Sequence, residues 1–375
     1  MYAIRNVDKF INESEAKIAK GEVTGTPELI NQYMGEAYFI RAMLYFDKLK
    51  TYGDFPIMLE ELNIDKDLVE ASKRQPRNLV ARQILSDMDK AIDKLQVNFA
   101  NKVRINKNAA LAMKSRMALY EATFEKYHRG TGRVPGDANW PGKNKEWNKN
   151  FTINQDDEVN FFLDQAIDAA KKVCDAVPLS TQNNHVMNPG TVGNFNGWNP
   201  YYDMFASPNL AKYPEVLLWR EFNTDINVAH LTSNKLRGGL SSGWTRGLVE
   251  SFLMKNGLPI YASGSGYHGD TTVDLAKTDR DERLQLFVFG ESNDLDIDQK
   301  SIDLINKQRV KEGKPTITKL LFDAATLFAT DQASRDVTGY RQRKFYNYDP
   351  AMQLGQTFSD VDGQIIIRVE EAMLN

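Results

Sequence analysis

The sequence predicts a mainly α-helical protein in which hairpins similar to tetratricopeptide repeats pack against an irregular, loop-rich half with a few short strands. Three observations lead to this fold class. Long segments of the first half carry apolar residues at helical spacing, and two of these segments recur later in the chain. After about residue 178 the sequence becomes rich in Gly and Asn, which is typical of loops.

Four helices follow an amphipathic segment at the start of the chain. The clearest begins at Thr26, a suitable N-cap, continues from Pro27 to Tyr52, and ends at Gly53. The others are predicted at about residues 78–95, 107–127 and 158–177. We therefore expect a helical-hairpin scaffold with long inserted loops over residues 1–180. A loop-rich region would follow over 181–364, and a helix would begin within 365–375.

The four helices are two copies of one pair. One set of residues on the first helix recurs on the third, and another set on the second helix recurs on the fourth. Ala37, Arg41, Leu44 and Tyr45 recur as Ala112, Arg116, Leu119 and Tyr120, and residues 89–93 recur as 164–168, both at an offset of 75 positions (112 − 37 and 164 − 89). Long loops, about 53–77 and 128–157, separate the partners of each pair, and such insertions often form the binding face of a helical array.

Composition excludes several classes of function. The net charge is −3 without a long Lys/Arg run, which argues against a nucleic-acid groove and against a polybasic membrane patch. The single cysteine, Cys174, excludes an internal disulfide and a Cys-rich metal site.

The segment Gly35–Phe46 (GEAYFIRAMLYF) continues to Tyr52–Pro56 (YGDFP). It resembles the signature helix of the SusD/RagB family, which comprises outer-membrane nutrient-binding lipoproteins of Bacteroidetes. Further similar segments follow in the family's order, at residues 87–91, 109–120, 201–205, 252–260, 280–284, 339–345 and 368–375. Together they cover essentially the whole chain.

The resemblance implies a SusD-like fold and a non-catalytic protein that binds oligosaccharides or polysaccharides on the cell surface. Such proteins deliver nutrient to a SusC-like TonB-dependent transporter in the outer membrane. No cofactor is implied. Members normally begin with a signal peptide and a lipidated cysteine, and their last helix is longer. We therefore expect this chain to be a fragment lacking both ends, attached to the membrane only through a lipid anchor outside it.

Aromatic residues on loops are the candidate ligand-binding residues. The faces of a sugar ring stack on Trp and Tyr, while neighbouring polar groups bind its hydroxyls. Trp140 and Trp147 lie in the long loop of the second hairpin, Trp198 follows a Gly/Asn-rich run, and Tyr267 lies between glycines. By contrast, Trp219 belongs to an apolar segment and is predicted to be core.

Other motifs are interpreted as structural. Residues 264–269 match GxGxxG by letter, but no strand or apolar helix flanks them, so nucleotide binding is not predicted. Residues 294–298 begin like a calcium loop but lack its sixth-position glycine and final glutamate, so no metal is predicted. Arg41, Arg116 and Arg368 are assigned to the scaffold, as partners of carboxylates or by snorkelling.

Two other functions stay open at this stage. A tetratricopeptide-like adaptor, or a peptide-binding SusD/RagB relative, would share the hairpins without needing aromatic loops. A glycoside hydrolase would add two opposed carboxylates in a cleft. The 50 acidic residues of the chain do not single out such a pair.

Overall fold

The fold is described from a computed structural model of the 375-residue chain. It describes residues 2–60, 66–179, 199–238, 243–291, 299–318, 337–347 and 359–375. The described residues of Met1–Leu179, Pro214–Trp219 and Ile366–Asn375 form one compact unit, and those of Ser180–Tyr213 and Arg220–Ile365 form a second.

Most regular structure is helical, which confirms the predicted fold class. The helices are α1 (Tyr2–Ala19), α2 (Pro27–Tyr52), α3 (Lys66–Ala71), α4 (Arg77–Lys94), α5 (Lys107–His128), α6 (Gln155–Ala176), α7 (Pro200–Asp203), α8 (Thr232–Gly238), α9 (Arg246–Ser251), α10 (Val273–Lys277), α11 (Glu282–Phe287), α12 (Gln299–Lys311) and α13 (Val369–Leu374). Single 3₁₀ turns span Ala100–Lys102, Pro141–Asn144, Glu146–Asn148 and Thr224–Ile226. Strands β1 (Val216–Arg220) and β2 (Gln364–Arg368) pair in a two-stranded sheet.

Helices α2 and α4 form the first antiparallel hairpin. Thr26 caps α2 through its side-chain oxygen, which accepts a hydrogen bond from the Leu29 backbone N–H, as predicted. The Asp54 carboxylate, just after α2, accepts a hydrogen bond from the backbone N–H of Arg77, the first residue of α4. At the opposite end, a methyl group added at Gly35 would lie only 2.8 Å from Leu95 Cγ. Gly35 therefore lets the two helices approach closely.

Helices α5 and α6 form the second hairpin. The Asn106 side chain caps α5 by accepting from the Ala109 N–H, and Asn154 caps α6 in the same way at Asp156. Arg129 after α5 forms an ion pair with Asp156 at the start of α6, so these two helices also run antiparallel. Helix α13 packs on both helices of this hairpin. The predicted duplication is thus present as two stacked helix pairs.

Equivalent arginines connect the helices of the first unit. Arg41 on α2 is buried and donates to Asp87 on α4 over 2.7 and 2.8 Å, and to Asp8 on α1 over 3.0 Å. Its repeat counterpart, Arg116 on α5, forms an ion pair with Glu371 on α13. Both interactions confirm the predicted scaffold role of these arginines. The side chain of Arg368 likewise pairs with a carboxylate, that of Glu370.

The second unit consists of short helices and long connections. An aromatic cluster forms part of its core, in which Tyr202 and Phe205 pack on Phe287 at ring-centroid distances of 6.0 and 5.4 Å. Trp219 in β1 is buried, as predicted, although its strand packs with the first unit.

Over the described residues, no helix is both long and apolar enough to cross a bilayer.

Candidate functional site

A cavity of about 770 Å³ opens beside the loops that connect the helices of both hairpins. Its wall residues all belong to the first unit and come from segments 50–54, 72–77 and 132–148, together with Phe124 of α5. This volume falls within the range of typical small-ligand sites. The cavity therefore lies where the two long inserted loops of the repeat meet.

Trp147 offers an accessible ring at this cavity. Its side chain is 42% exposed, and its indole N–H donates to the Arg74 carbonyl over 3.0 Å, which fixes the ring against the loop of the first hairpin. The ammonium groups of Lys73 and Lys145 lie 5.6 and 5.8 Å from the ring centroid. Tyr52, 51% exposed at the end of α2, adds a second accessible ring. These two rings are suited to stacking contacts.

Trp140 contributes to the cavity wall in a different way. It is only 4% exposed, and its indole N–H donates to Asp54 over 2.9 Å. The same carboxylate accepts from the Arg77 N–H, so Asp54 joins the end of α2, the start of α4 and the loop of the second hairpin. Burial raises the pKa of Asp54 and outweighs the opposing effect of these two hydrogen bonds. Trp140 packs closely over Gly142, where any side chain would overlap its ring.

Asp137 organises the loop that carries both tryptophans. Its carboxylate accepts hydrogen bonds from the backbone N–H groups of Gly130 and Gly132, over 2.8 and 2.9 Å, and from the Gln155 side chain over 3.1 Å. Burial alone would raise the pKa of Asp137, but these hydrogen bonds outweigh it and lower the pKa. The charged form therefore stabilises the loop at neutral pH, and this contribution is lost as the pH falls through the lowered pKa.

Replacing Asp137 by asparagine should loosen this loop. An amide nitrogen would face backbone N–H donors, so we expect the free energy of unfolding to fall by about 2 kcal/mol. Proteolysis within residues 129–154 should accelerate and can be followed by mass spectrometry. Asp157→Asn, at an exposed position on α6, is the matched control. Equal cleavage rates in the two variants would contradict this role of Asp137.

The cavity wall is strongly basic. Six of its residues are cationic, and one, Asp54, is anionic. Arg77 is neutralised by a two-bond ion pair with Glu121, and its guanidinium lies 3.4 Å from the centroid of the Phe124 ring. The other cationic residues are Lys50, Lys73, Arg74, Arg133 and Lys145. This charge balance contrasts with the net charge of −3 of the whole chain.

The four aromatic residues selected from the sequence have different environments. Trp140 and Trp147 both line the cavity, whereas Trp198 lies outside the described residues. Tyr267 belongs to the second unit, where it is half-buried, with the Arg280 guanidinium 5.5 Å from its ring centroid. Ligand binding by these four residues stays a prediction.

The basic residues and Tyr52 were not selected from the sequence. Tyr52 was interpreted only as the end of a helix, and the cations are scattered over segments that are distant in the chain. The one sequence feature that these residues share is their position, since all lie at the ends of helices or in the two long loops. Only the stacking of the two hairpins brings these segments to one cavity.

Other sequence motifs form no site within the part of the chain that the structure describes. Residues 264–269 have no regular secondary structure beyond the turn at Gly264, and no strand precedes them. The calcium-like segment 294–298 lies outside the described residues. A search of the described residues found no group of three or more His, Cys, Asp or Glu that could bind a metal ion.

Comparison with known proteins agrees with this architecture. Residues 12–119 match the SusD-like family model described as "Starch-binding associating with outer membrane". A SusD-like protein of Formosa agariphila is 30% identical over 111 residues, which are 29% of this chain and 22% of that protein. The matched family segment contains the whole first hairpin and most of α5.

Solved structures share the fold over nearly the whole chain. A SusD-like protein from Bacteroides fragilis matches 99% of this chain and 60% of its own length, with a TM-score of 0.60 and 16% identity. A SusD-like carbohydrate-binding protein from the same species matches 99% of this chain and 57% of its own length, with a TM-score of 0.55 and 14% identity. The chain thus spans somewhat more than half the length of these structures.

Duplicated helical hairpins followed along the chain by a loop-rich unit are the features of a SusD-like fold. The match of residues 12–119 to the SusD-like family model and the shared fold support the resemblance to the SusD/RagB family that the sequence indicated.

Proposed function

We propose that this chain is the glycan-binding part of a non-catalytic, surface-exposed outer-membrane protein. It binds oligosaccharides or polysaccharides and delivers them to a SusC-like TonB-dependent transporter. The observation that carries the proposal is the cavity of about 770 Å³, with the accessible Trp147 and Tyr52 rings at its wall. The family's description as starch-binding and associated with the outer membrane supports it.

The chemistry of the cavity favours binding over hydrolysis. A glycoside hydrolase generally needs two carboxyl groups on opposite sides of the scissile bond. Among the wall residues Asp54 is the one carboxylate, and both of its oxygens accept hydrogen bonds from the protein. A protein-binding adaptor is a weaker alternative, because accessible aromatic rings beside a concave pocket suit a small ring-shaped ligand.

Affinity electrophoresis against a panel of polysaccharides tests binding directly. We expect retarded migration on at least one polysaccharide and no release of reducing sugar. Release of product would support a hydrolase, and unchanged migration on every polysaccharide would contradict glycan binding. Delivery requires a separate measurement, uptake of the labelled oligosaccharide by cells with and without the gene.

Trp147→Ala should abolish most of the retardation. Loss of the stacking platform should weaken affinity at least tenfold, about 1.4 kcal/mol, without unfolding the protein, because the ring is substantially exposed. Tyr127→Ala is the matched control, since Tyr127 lies in the same unit, is more exposed and does not line the cavity. Equal retardation of the Trp147→Ala variant and the unmodified protein would place the binding site elsewhere.

Trp140 is expected to act mainly by shaping the cavity wall, since little of its surface is exposed. We retain Trp198 and Tyr267 as proposed ligand contacts, each to be tested by alanine substitution in the same assay.

A further inference from the structure

We infer that the cavity is built for an anionic saccharide, one that carries carboxylate or sulfate groups. This inference rests on the proposed function and specifies its ligand class. It comes from the distribution of charge around the cavity, independently of the aromatic rings that support sugar binding in general.

Some of the cationic residues in the cavity wall have a carboxylate partner, and others do not. Arg77 is matched by Glu121, Lys73 pairs with Glu70, and Lys50 lies 3.9 Å from Asp47. Arg74, Arg133 and Lys145 are exposed, and none of them forms an ion pair with a carboxylate among the described residues. The cavity thus has an excess of positive charge that the described protein groups leave unmatched.

The location of this charge points to a ligand. A concave wall of low dielectric focuses the field of its charges, so cations grouped there attract anions more strongly than the same cations spread over a convex surface. The chain as a whole is slightly acidic, so the basic cavity does not reflect general composition. Guanidinium groups such as those of Arg74 and Arg133 bind carboxylate and sulfate oxygens with paired hydrogen bonds.

The Trp147 ring also lies close to two of the cationic side chains. Lys73 and Lys145 approach the Trp147 ring within 6 Å, so a sugar stacked on that ring would have its substituents within reach of an ammonium group. Stacking would recognise the sugar ring, and the cations would select rings that carry negative charge. A neutral glycan would use the first interaction only.

Affinity electrophoresis with three probes tests this ligand class: a neutral glucan, a polyuronate and a sulfated galactan. We expect stronger retardation by the polyuronate or the sulfated galactan than by the glucan, and the stronger of the two identifies the anionic group. Retardation should fall sharply at about 1 M salt, where the screening length is about 3 Å. Stronger binding of the neutral glucan, lost in Trp147→Ala, would overturn the anionic class while leaving glycan binding intact.

Two double variants that remove the same charge distinguish binding at the cavity from nonspecific electrostatic attraction to the protein surface. The Arg74→Gln/Arg133→Gln double variant should weaken binding of the anionic polysaccharide at least tenfold. The Lys17→Gln/Lys20→Gln double variant removes the same charge from exposed positions on and just after α1, away from the cavity wall, and should bind normally. Equal losses in both would overturn the inference. Equally tight binding of a single-stranded oligonucleotide at the same site would also overturn it.

Discussion

Replacing Arg41 by methionine should lower the free energy of unfolding by about 3–5 kcal/mol, because it leaves two buried carboxylates without their cation. Asp8 and Asp87 are both fully buried and both bind this guanidinium, which ties α1 to α2 and α2 to α4. Chemical denaturation measured at neutral pH gives the change.

The internal repeat supplies the control for this prediction. Arg116 occupies the equivalent position of the second hairpin, but its ion pair with Glu371 is more than one-third exposed on both sides. Arg116→Met should therefore cost less than about 1 kcal/mol. Similar losses in the two variants would show that burial does not determine the contribution of this arginine.

Replacing Glu125 by glutamine should stabilise the protein at pH 8 by up to about 5 kcal/mol, since each pH unit between the unfolded and folded pKa values costs about 1.4 kcal/mol. Burial, together with the charges of Glu121 and Glu158, raises the pKa of Glu125 to about 9 from its ordinary value of 4.5. Between these values the unfolded chain loses a proton that the folded protein retains, so stability decreases as the pH rises. A neutral amide removes this decrease and leaves the volume almost unchanged. Thermal unfolding between pH 4 and pH 9 should therefore show a flatter profile for the variant.

The same substitution at Glu158 should have the opposite effect on stability. Burial alone would raise its pKa, but hydrogen bonds from Arg82 and Asn78 outweigh burial and lower it. Its charged form therefore stabilises the fold above pH 4.5, so Glu158→Gln should destabilise the protein at pH 8. Equal effects of the two substitutions would contradict the assignment of the proton to Glu125.

The helical half of the fold is well determined by local sequence. Thr26, Pro27 and Gly53 are start and stop signals whose effect needs only neighbouring residues, and the structure has α2 between them. The repeat could also be recognised, because four residues of α2 recur with the same spacing on α5. The ion-pair partners of the repeated arginines are harder to predict. Arg41 and Arg116 are equivalent in sequence, yet the exposure of their ion pairs differs. Arg41 is covered by α1, the helix that precedes its own, whereas the partner of Arg116 lies on α13, 255 positions along the chain.

The candidate site could be predicted only in part. Trp140 and Trp147 are seven positions apart in one loop, but one is buried and the other exposed, since only Trp140 meets the Asp54 carboxylate of the other hairpin. The basic wall combines residues from three segments, and no local pattern shows that Arg74 and Arg133 line the same cavity.

The junction at Asp54 has a thermodynamic consequence. The Asp54 carboxylate connects the end of α2, the start of α4 and the loop that carries the tryptophans. The cavity therefore exists only while both hairpins are folded together. Any molecule that binds there recognises the assembled repeat pair and not its parts. By mass action, occupancy shifts the unfolding equilibrium of the whole array, so the melting temperature reports how much of the site is filled.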